Sequence, residues 1–260
     1  MSTTIVTGYF QLNKSKAPHE KYREWMSNML CIQNPMVIFC DAQTYHTIVE
    51  LREKNMDKTK IIITSFSEFY CYKYLKQFTE HLLLDSEVNR GHSIELYMIW
   101  SEKSNFLKRA IELNPFDSDF FLWTDIGCFR KPNVNFLQWP SVEKVNALPR
   151  DKVLLLDVYP FTQQELNVYD IKDLPSFQFT NRIGAPIFGG FRDTLLIWHK
   201  KYYEMLEHFI SIDRFIGKDQ SIMNSVYLVH RPLCFLVNWD SNTCRCEDDV
   251  WFYLQRYLQN

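Results

Sequence analysis

The sequence predicts an α/β domain with a mostly parallel central sheet flanked by helices, and three observations carry that expectation. The first is alternation. Thr3 to Phe10 is a short β-branched and aromatic run. From Pro18, the apolar positions Tyr22, Trp25, Met26, Met29 and Leu30 then recur at three and four. Met36 to Cys40, a helix near Thr44 to Lys54, and a strand from Lys60 to Thr64 follow. Strand, helix, strand, helix, strand is the opening of a parallel sheet with crossover helices. The second observation is the run FFLWTDIGCFR, Phe120 to Arg130, in which four large apolar residues lead into Asp125 and Gly127. A strand covered on both faces reads as continuous apolar sequence, and ligands of open α/β sheets bind beyond the carboxyl ends of such strands. The third is the absence of any linker, repeat or low-complexity tract in 260 residues. Pro132, Pro140, Pro149, Pro160 and Pro175 read as irregular excursions over the sheet, so residues 1–260 are expected to form one domain.

The remaining elements follow in order. Helical stretches are expected at Glu68 to Leu84 and Ile94 to Leu113, divided by the polar turn Asn89 to His92, before strands at Asp119 to Thr124 and Val153 to Val158. Ile183 to Phe191, IGAPIFGGF, holds three of the seven glycines. The next helix carries Leu195, Leu196, His199, Tyr202, Tyr203, Leu206 and Phe209 on one face, and His199 inside that stripe reads as a core histidine. Gly217-Lys218-Asp219-Gln220 opens a helix with Ile222, Met223, Val226 and Tyr227 inward. A strand at Leu233 to Val237 and an amphipathic helix near Asp248 to Leu258 close the chain.

Composition narrows the function. Lys plus Arg number 29 against 31 Asp plus Glu, a net charge of −2, so no polybasic face points to nucleic acid or an anionic membrane. Aromatics make up 16%, which suits a site that stacks flat ligand groups. The N-terminus lacks the basic and apolar regions of a leader, and no apolar segment reaches the ~18 residues of a membrane span, so a soluble, cytoplasmic chain is expected. Seven cysteines in such a chain read as reduced thiols. Cys244 and Cys246, with Cys234 and His230 upstream, match the ligand spacing of structural zinc poorly.

Several residues are candidates for chemistry. Asp125 stands at a strand end, where it either meets a ligand or caps the turn that Gly127 makes possible. Lys103 falls in the middle of the apolar face defined by Leu96, Ile99, Trp100, Phe106, Leu107 and Ala110. Either its ammonium snorkels to solvent, or it reaches the sheet end to meet a carboxylate such as Asp125 or an anionic ligand. Ser15 and Lys16 lie just beyond the first strand. Gly189 and Gly190 would let a ligand approach the backbone, or simply make a turn. Asp219 at a helix start can satisfy free amides. Gln220, with Asn224 four residues on, offers amide hydrogen bonds to a polyhydroxylated ligand.

The runs VTGYFQLNKSKAPHEKYREWMSNML, WSEKSNFLKRAIELNPFDSDFFLWTDIGCFR, FGG and GKDQSIMNSV resemble the HtrL/YibB-like proteins, a group that in turn resembles nucleotide-sugar-dependent glycosyltransferases of GT-A architecture. The similarity spans Thr3 to about Val237. It implies a single GT-A-like (Rossmann-like) domain in which residues 1–126 form the nucleotide-binding half and residues 127–260 the acceptor-side half. Thr7, Tyr9 and Lys16 would hold the nucleotide, and Asp125 matches the first carboxylate of the Asp-x-Asp signature, which contacts donor ribose and metal. Asp219-Gln220 resembles the Asp-Gln pair of retaining enzymes, set against the transferred sugar and the acceptor. The chain departs from the pattern at Gly127, which stands where the second signature carboxylate would be. The implied Mn²⁺ or Mg²⁺ ion therefore lacks a ligand, and Lys103 and Lys16, with Arg130, become alternative partners for the diphosphate. The expectation is transfer of a sugar from a nucleotide-diphosphate donor to a hydroxyl acceptor on a glycan or other molecule. A non-catalytic sugar-binding protein on the same fold is the rival. A methyltransferase is weaker, because no glycine-rich loop follows the first strand.

Overall fold

The computed structural model describes residues 2–132, 136–239 and 249–259. Its centre is one seven-stranded sheet. The strands are β1 (Thr3–Tyr9), β2 (Met36–Cys40), β3 (Thr59–Ile63), β4 (Phe120–Thr124), β5 (Val153–Asp157), β6 (Ile183–Phe191) and β7 (Cys234–Asn238), in the order β3-β2-β1-β4-β6-β5-β7. β1 pairs parallel with β2 and β4, β2 with β3, and β5 with β7, while β6 runs antiparallel to both of its neighbours. This is the mostly parallel α/β architecture that the alternating pattern predicts.

Burial explains the strand sequences. Every residue of β2, β4 and β5 is buried, as continuous apolar strands covered on two faces must be. β3 is a sheet edge, and its Ile63 is half exposed. Alternate side chains feed two cores. Ile5, Ile38, Phe120 and Leu122 pack on one face with Met26, Met29 and Leu30 of helix α1 (His19–Leu30). Val6, Phe39, Phe121 and Trp123 pack on the other with residues of helix α4 (Ile94–Leu113). Helices α2 (Tyr45–Arg52) and α3 (Leu75–Leu82) precede α4. The shorter α5 (Val142–Asn146) and α6 (Gln163–Leu166) lie in the proline-rich excursions. Helices α7 (Arg192–Ser211) and α8 (Asp219–Val229) complete the α4 side, and the single turn α9 (Leu254–Tyr257) closes the chain.

Three expectations need correction. The helix expected from Glu68 to Leu84 is helical only as 3₁₀ turns until α3 begins: Phe69 is extended (φ −69°, ψ 140°), and the turn that restarts at Tyr70 is capped by Glu102, which accepts from the Tyr70 and Cys71 amides at 3.0 and 3.1 Å. The final helix is likewise a 3₁₀ turn, Val250–Phe252, followed by α9. The glycine-rich segment is neither turn nor ligand loop. It is the nine-residue strand β6, in which Gly190 pairs with Phe121 and Gly189 with Leu122. A Cβ on Gly189 would lie 2.5 Å from the Phe121 carbonyl oxygen, so the glycine is there to let two strands meet. Of the weak zinc grouping, Cys244 and Cys246 lie outside the described residues, and burial pushes the Cys234 thiol up to about 12.

Candidate functional site

The strand order reverses between β1 and β4. β1 leads outward through β2 to β3, whereas β4 begins the other half of the sheet. A crevice at the carboxyl ends of two such strands is the site that this topology makes available. A cavity of about 450 Å³ opens there, walled by Gly8, Tyr9 and Phe10 from β1 and by Asp125, Ile126 and Gly127 after β4. That volume lies in the range of small-molecule sites.

Lys103 forms the floor. Its ammonium is 3.0 Å from Asp125 Oδ1 and 3.0 Å from Asp219 Oδ2, and it donates to the Ala185 carbonyl at 3.2 Å. The middle of α4, the end of β4, the start of β6 and the first residue of α8 therefore meet at one nitrogen. Lys103 does not snorkel: its side chain and that of Asp219 are each 4% exposed, while Asp125 at 32% faces the cavity. Burial alone would strip the proton from Lys103, but the two carboxylates outweigh it and hold its pKa above the ordinary lysine value. The Trp123 indole N–H donates to Asp125 Oδ1 at 2.7 Å and fixes the carboxylate from behind. Asp219 Oδ1 accepts from the Gln220 amide at 2.9 Å.

The walls have two characters. At one end, Tyr9, His19, Tyr22 and Trp25 form an aromatic group, with the Tyr9 hydroxyl 2.6 Å from His19 Nδ1 and the Tyr9 and His19 rings stacked at 5.8 Å. Arg130 stands beside them between the rings of Trp25 and Phe252, at 4.6 and 4.8 Å. At the other end, Lys16 lies 4.9 Å over the Trp100 ring, and Lys218 is paired with Glu87. Among the described residues no carboxylate lies within ion-pair distance of Lys16; Glu87 and Asp219 act on it only through space.

The structure thus brings together Tyr9, Lys16, Lys103, Asp125, Gly127, Asp219 and Gln220 around one cavity. Three expected donor-binding residues are elsewhere. Thr7 is fully buried within β1, and its hydroxyl is turned into the protein, where no described group bonds it. Gly189 and Gly190 sit toward the opposite end of β4, because β6 is antiparallel and its carboxyl end points away from Asp125. Asn224 is also withdrawn: its amide oxygen accepts from the Ile183 backbone at 2.9 Å. His199, expected in the core, is instead half-buried at its edge, packed against Tyr203 and Tyr70 with Nδ1 3.4 Å from the Ser104 hydroxyl. Lys218, Glu87, His19, Tyr22, Trp25 and Trp100 escaped the sequence reading. Only Lys218, adjoining Asp219 in a glycine-led turn, carried a signal that could have found it.

The donor set does not fit a divalent metal at Asp125. Both oxygens of Asp125 face the Lys103 ammonium, at 3.0 and 3.3 Å. A Cβ at Gly127 would stand 3.2 Å from the Tyr22 ring and 3.3 Å from that of Trp25, so a second carboxylate would enter only if those rings gave by a few tenths of an ångström. Asp85, Glu87 and His92 do gather ligand atoms within 4.8 Å of one another. Asp85 is nevertheless occupied by His92 Nδ1 at 2.6 Å, the Tyr97 hydroxyl and the Glu87 amide, and Glu87 by Lys218.

With this geometry in view, the chain can be compared with known proteins. Residues 1–257 match the family described as "Bacterial protein of unknown function (HtrL_YibB)", and the chain belongs to that family. Protein HtrL of Escherichia coli (strain K12) is 22% identical over 194 residues, covering 66% of this chain and 61% of that protein. The match thus spans less than two thirds of the relative's length. Among solved structures, mouse xyloside xylosyltransferase 1 in its apo form superposes with a TM-score of 0.50 at 10% identity, covering 91% of this chain and 85% of that one. The 4-diphosphocytidyl-2C-methyl-D-erythritol synthase of Anaerococcus prevotii DSM 20548 gives a TM-score of 0.44 at 10% identity, covering 100% and 96%. The fold is accordingly of the GT-A-like class, a seven-stranded, mostly parallel α/β sheet.

Proposed function

We propose that the chain is a glycosyltransferase that moves a sugar from a nucleotide-diphosphate donor to a hydroxyl acceptor of carbohydrate type. The single observation that carries the proposal is the Asp125–Lys103–Asp219 cluster on the floor of a cavity at the point where the strand order reverses. The aromatic end suits a nucleobase, and Lys16, with no carboxylate of its own, suits the diphosphate. Asp125 would meet the ribose, and Asp219 with Gln220 the reacting sugar. The xylosyltransferase likeness supports the fold on which this chemistry is arranged.

In the reaction, the bond from the anomeric carbon to the diphosphate oxygen breaks, with its electron pair leaving on the diphosphate. The acceptor oxygen forms the new bond and loses its proton to the departing phosphate oxygen. Positive charge develops at the sugar and negative charge at the diphosphate, so Asp219 beside the sugar and Lys16 beside the diphosphate would stabilise the transition state more than the ground state. Delivery of the acceptor proton to the departing phosphate oxygen requires acceptor and leaving group on the same face of the sugar, which would retain the anomeric configuration.

One feature favours the binding-protein reading instead: both oxygens of Asp219 are engaged, by Lys103 and by the Gln220 amide. Mass spectrometry after incubation with a panel of nucleotide-diphosphate sugars and simple glycoside acceptors separates the two. Release of the nucleoside diphosphate with a glycosylated product supports transfer. Tight donor binding without release or product across the panel supports binding alone, and no binding of any donor removes both.

A further inference from the structure

We infer that Lys103 is the permanent cation of this site, its ammonium lying between the Asp125 and Asp219 carboxylates, so that the cavity takes a diphosphate ligand without a metal at Asp125. The inference rests on the proposed nucleotide-sugar reading for its ligand, and on four observations for its cation.

Four oxygens from three residues surround Lys103 Nζ: Asp125 Oδ1 at 3.0 Å and Oδ2 at 3.3 Å, Asp219 Oδ2 at 3.0 Å and the Ala185 carbonyl at 3.2 Å. An ammonium has three donors and no acceptor, and here it hydrogen-bonds Asp125 and the Ala185 carbonyl and stands at ion-pair distance from Asp219, so the groups that would otherwise attract a metal already face a cation. These are N–H···O separations, well beyond the ~2.1 Å that a Mg²⁺ ion demands. An ion sharing Asp125 would face a fixed positive charge beside it.

The aromatic wall is the second observation. Tyr22 and Trp25 stand against Gly127 at 3.2 and 3.3 Å from where a Cβ would be, so a side chain there would need the rings to give by a few tenths of an ångström, and no second carboxylate is present. Third, Lys103 is buried in the apolar face of a twenty-residue helix, where a charge is costly unless the fold compensates it. Two carboxylates from two other elements supply that compensation.

The fourth observation is charge balance. Asp125 and Asp219 carry two negative charges, and Lys103 with nearby Lys16 carries two positive ones. A divalent ion between two carboxylates gives the same balance. Here half of it is built into α4 and half is Lys16 on the loop after β1, at the cavity wall.

Manganese is the probe. Wild-type protein is titrated with MnCl₂ and free Mn²⁺ is followed by electron paramagnetic resonance, alongside calorimetry of a nucleoside diphosphate panel in EDTA and in excess Mn²⁺. Wild type is expected to bind no Mn²⁺ that Asp125→Asn removes, and to bind its best nucleotide within twofold in the two buffers. Lys103→Ala, which frees both carboxylates, is expected to gain a Mn²⁺ site that Asp219→Asn then abolishes. Mn²⁺ bound by wild type and lost in Asp125→Asn overturns the inference, as does a more than tenfold Mn²⁺ requirement for nucleotide. Those two results need only the wild-type fold. If no nucleotide binds in either buffer, the ligand reading fails, while the exclusion of Mn²⁺ is judged on the resonance data alone.

Discussion

Replacing Lys103 with methionine keeps the length of the side chain and deletes one charge from between two carboxylates, each 3.0 Å away. From sequence alone this substitution looks mild, since methionine suits an apolar helical face. The structure reverses that expectation. Asp125 is 32% exposed and keeps the Trp123 indole, so it can rehydrate, but Asp219 is 4% exposed and loses its only ion-pair partner among the described residues. Removing one member of a buried pair costs about 3–5 kcal/mol, mostly through the charge left behind. Lys103→Met should therefore lower the unfolding free energy by about 3–5 kcal/mol. The double variant Lys103→Met/Asp219→Asn should recover at least half of that loss, because the stranded charge is gone. The loss in the single variant should shrink as pH falls, since a stranded carboxylate can stay buried by taking up a proton. Urea unfolding followed by tryptophan fluorescence, at neutral and at mildly acidic pH, measures all three quantities. A single-variant loss below about 1 kcal/mol, or a double variant no better than the single, would refute the view that Lys103 bridges the two acids.

Gln220→Ala should lower kcat at least tenfold with little change in donor affinity, because the interaction removed is made mainly in the transition state, and Asp219→Asn, which also gives up its ground-state pair with Lys103, should lower kcat by as much and reduce stability besides; steady-state kinetics, calorimetry and a thermal melt check this. His199 should contribute a pH-dependent instability: burial lowers its pKa to about 4 from 6.5. The unfolded chain therefore binds the extra proton, and stability falls as pH drops from 6.5 toward 4, by up to about 3 kcal/mol that a His199→Phe variant does not lose. Gly189→Ala should destabilise by about 1–3 kcal/mol or more, since its Cβ meets Phe121 and Leu122 backbone within 3 Å, whereas Gly190→Ala, with only ordinary contacts, should be tolerated. Thermal melts decide the pair, and unchanged nucleotide affinity in Gly190→Ala would confirm that the glycine lies away from the ligand.

What could be read from the sequence divides along physical lines. The fully buried strands β2, β4 and β5 announced themselves as apolar runs, and Lys103 stood out because an apolar helical stripe leaves a lysine unexplained. Both signals are local. The antiparallel course of β6 is not, since nothing in IGAPIFGGF says that it inserts between β4 and β5 and points its glycines away from Asp125. Thr7 illustrates the same limit at the scale of one residue: strand period two puts neighbours on opposite faces, but which face meets the cavity depends on the sheet's surroundings. Tyr22 and Trp25 read simply as the apolar stripe of α1, because an aromatic residue that lines a cavity and one that fills a core share the same helical spacing. The Lys218–Glu87 pair joins residues far apart in the chain, so although Lys218 adjoins Asp219, nothing local points to Glu87 as its partner.

The most direct test of the proposed site is a crystal structure grown with the nucleoside diphosphate that binds best, in the presence of Mn²⁺. The expected result has the diphosphate within hydrogen-bond reach of Lys16, the base against Tyr9, Tyr22 and Trp25, and the Asp125–Lys103–Asp219 bridge intact with no ion on Asp125. A nucleotide bound away from this cavity, or a Mn²⁺ ion coordinated by Asp125 with Lys103 displaced, would contradict it.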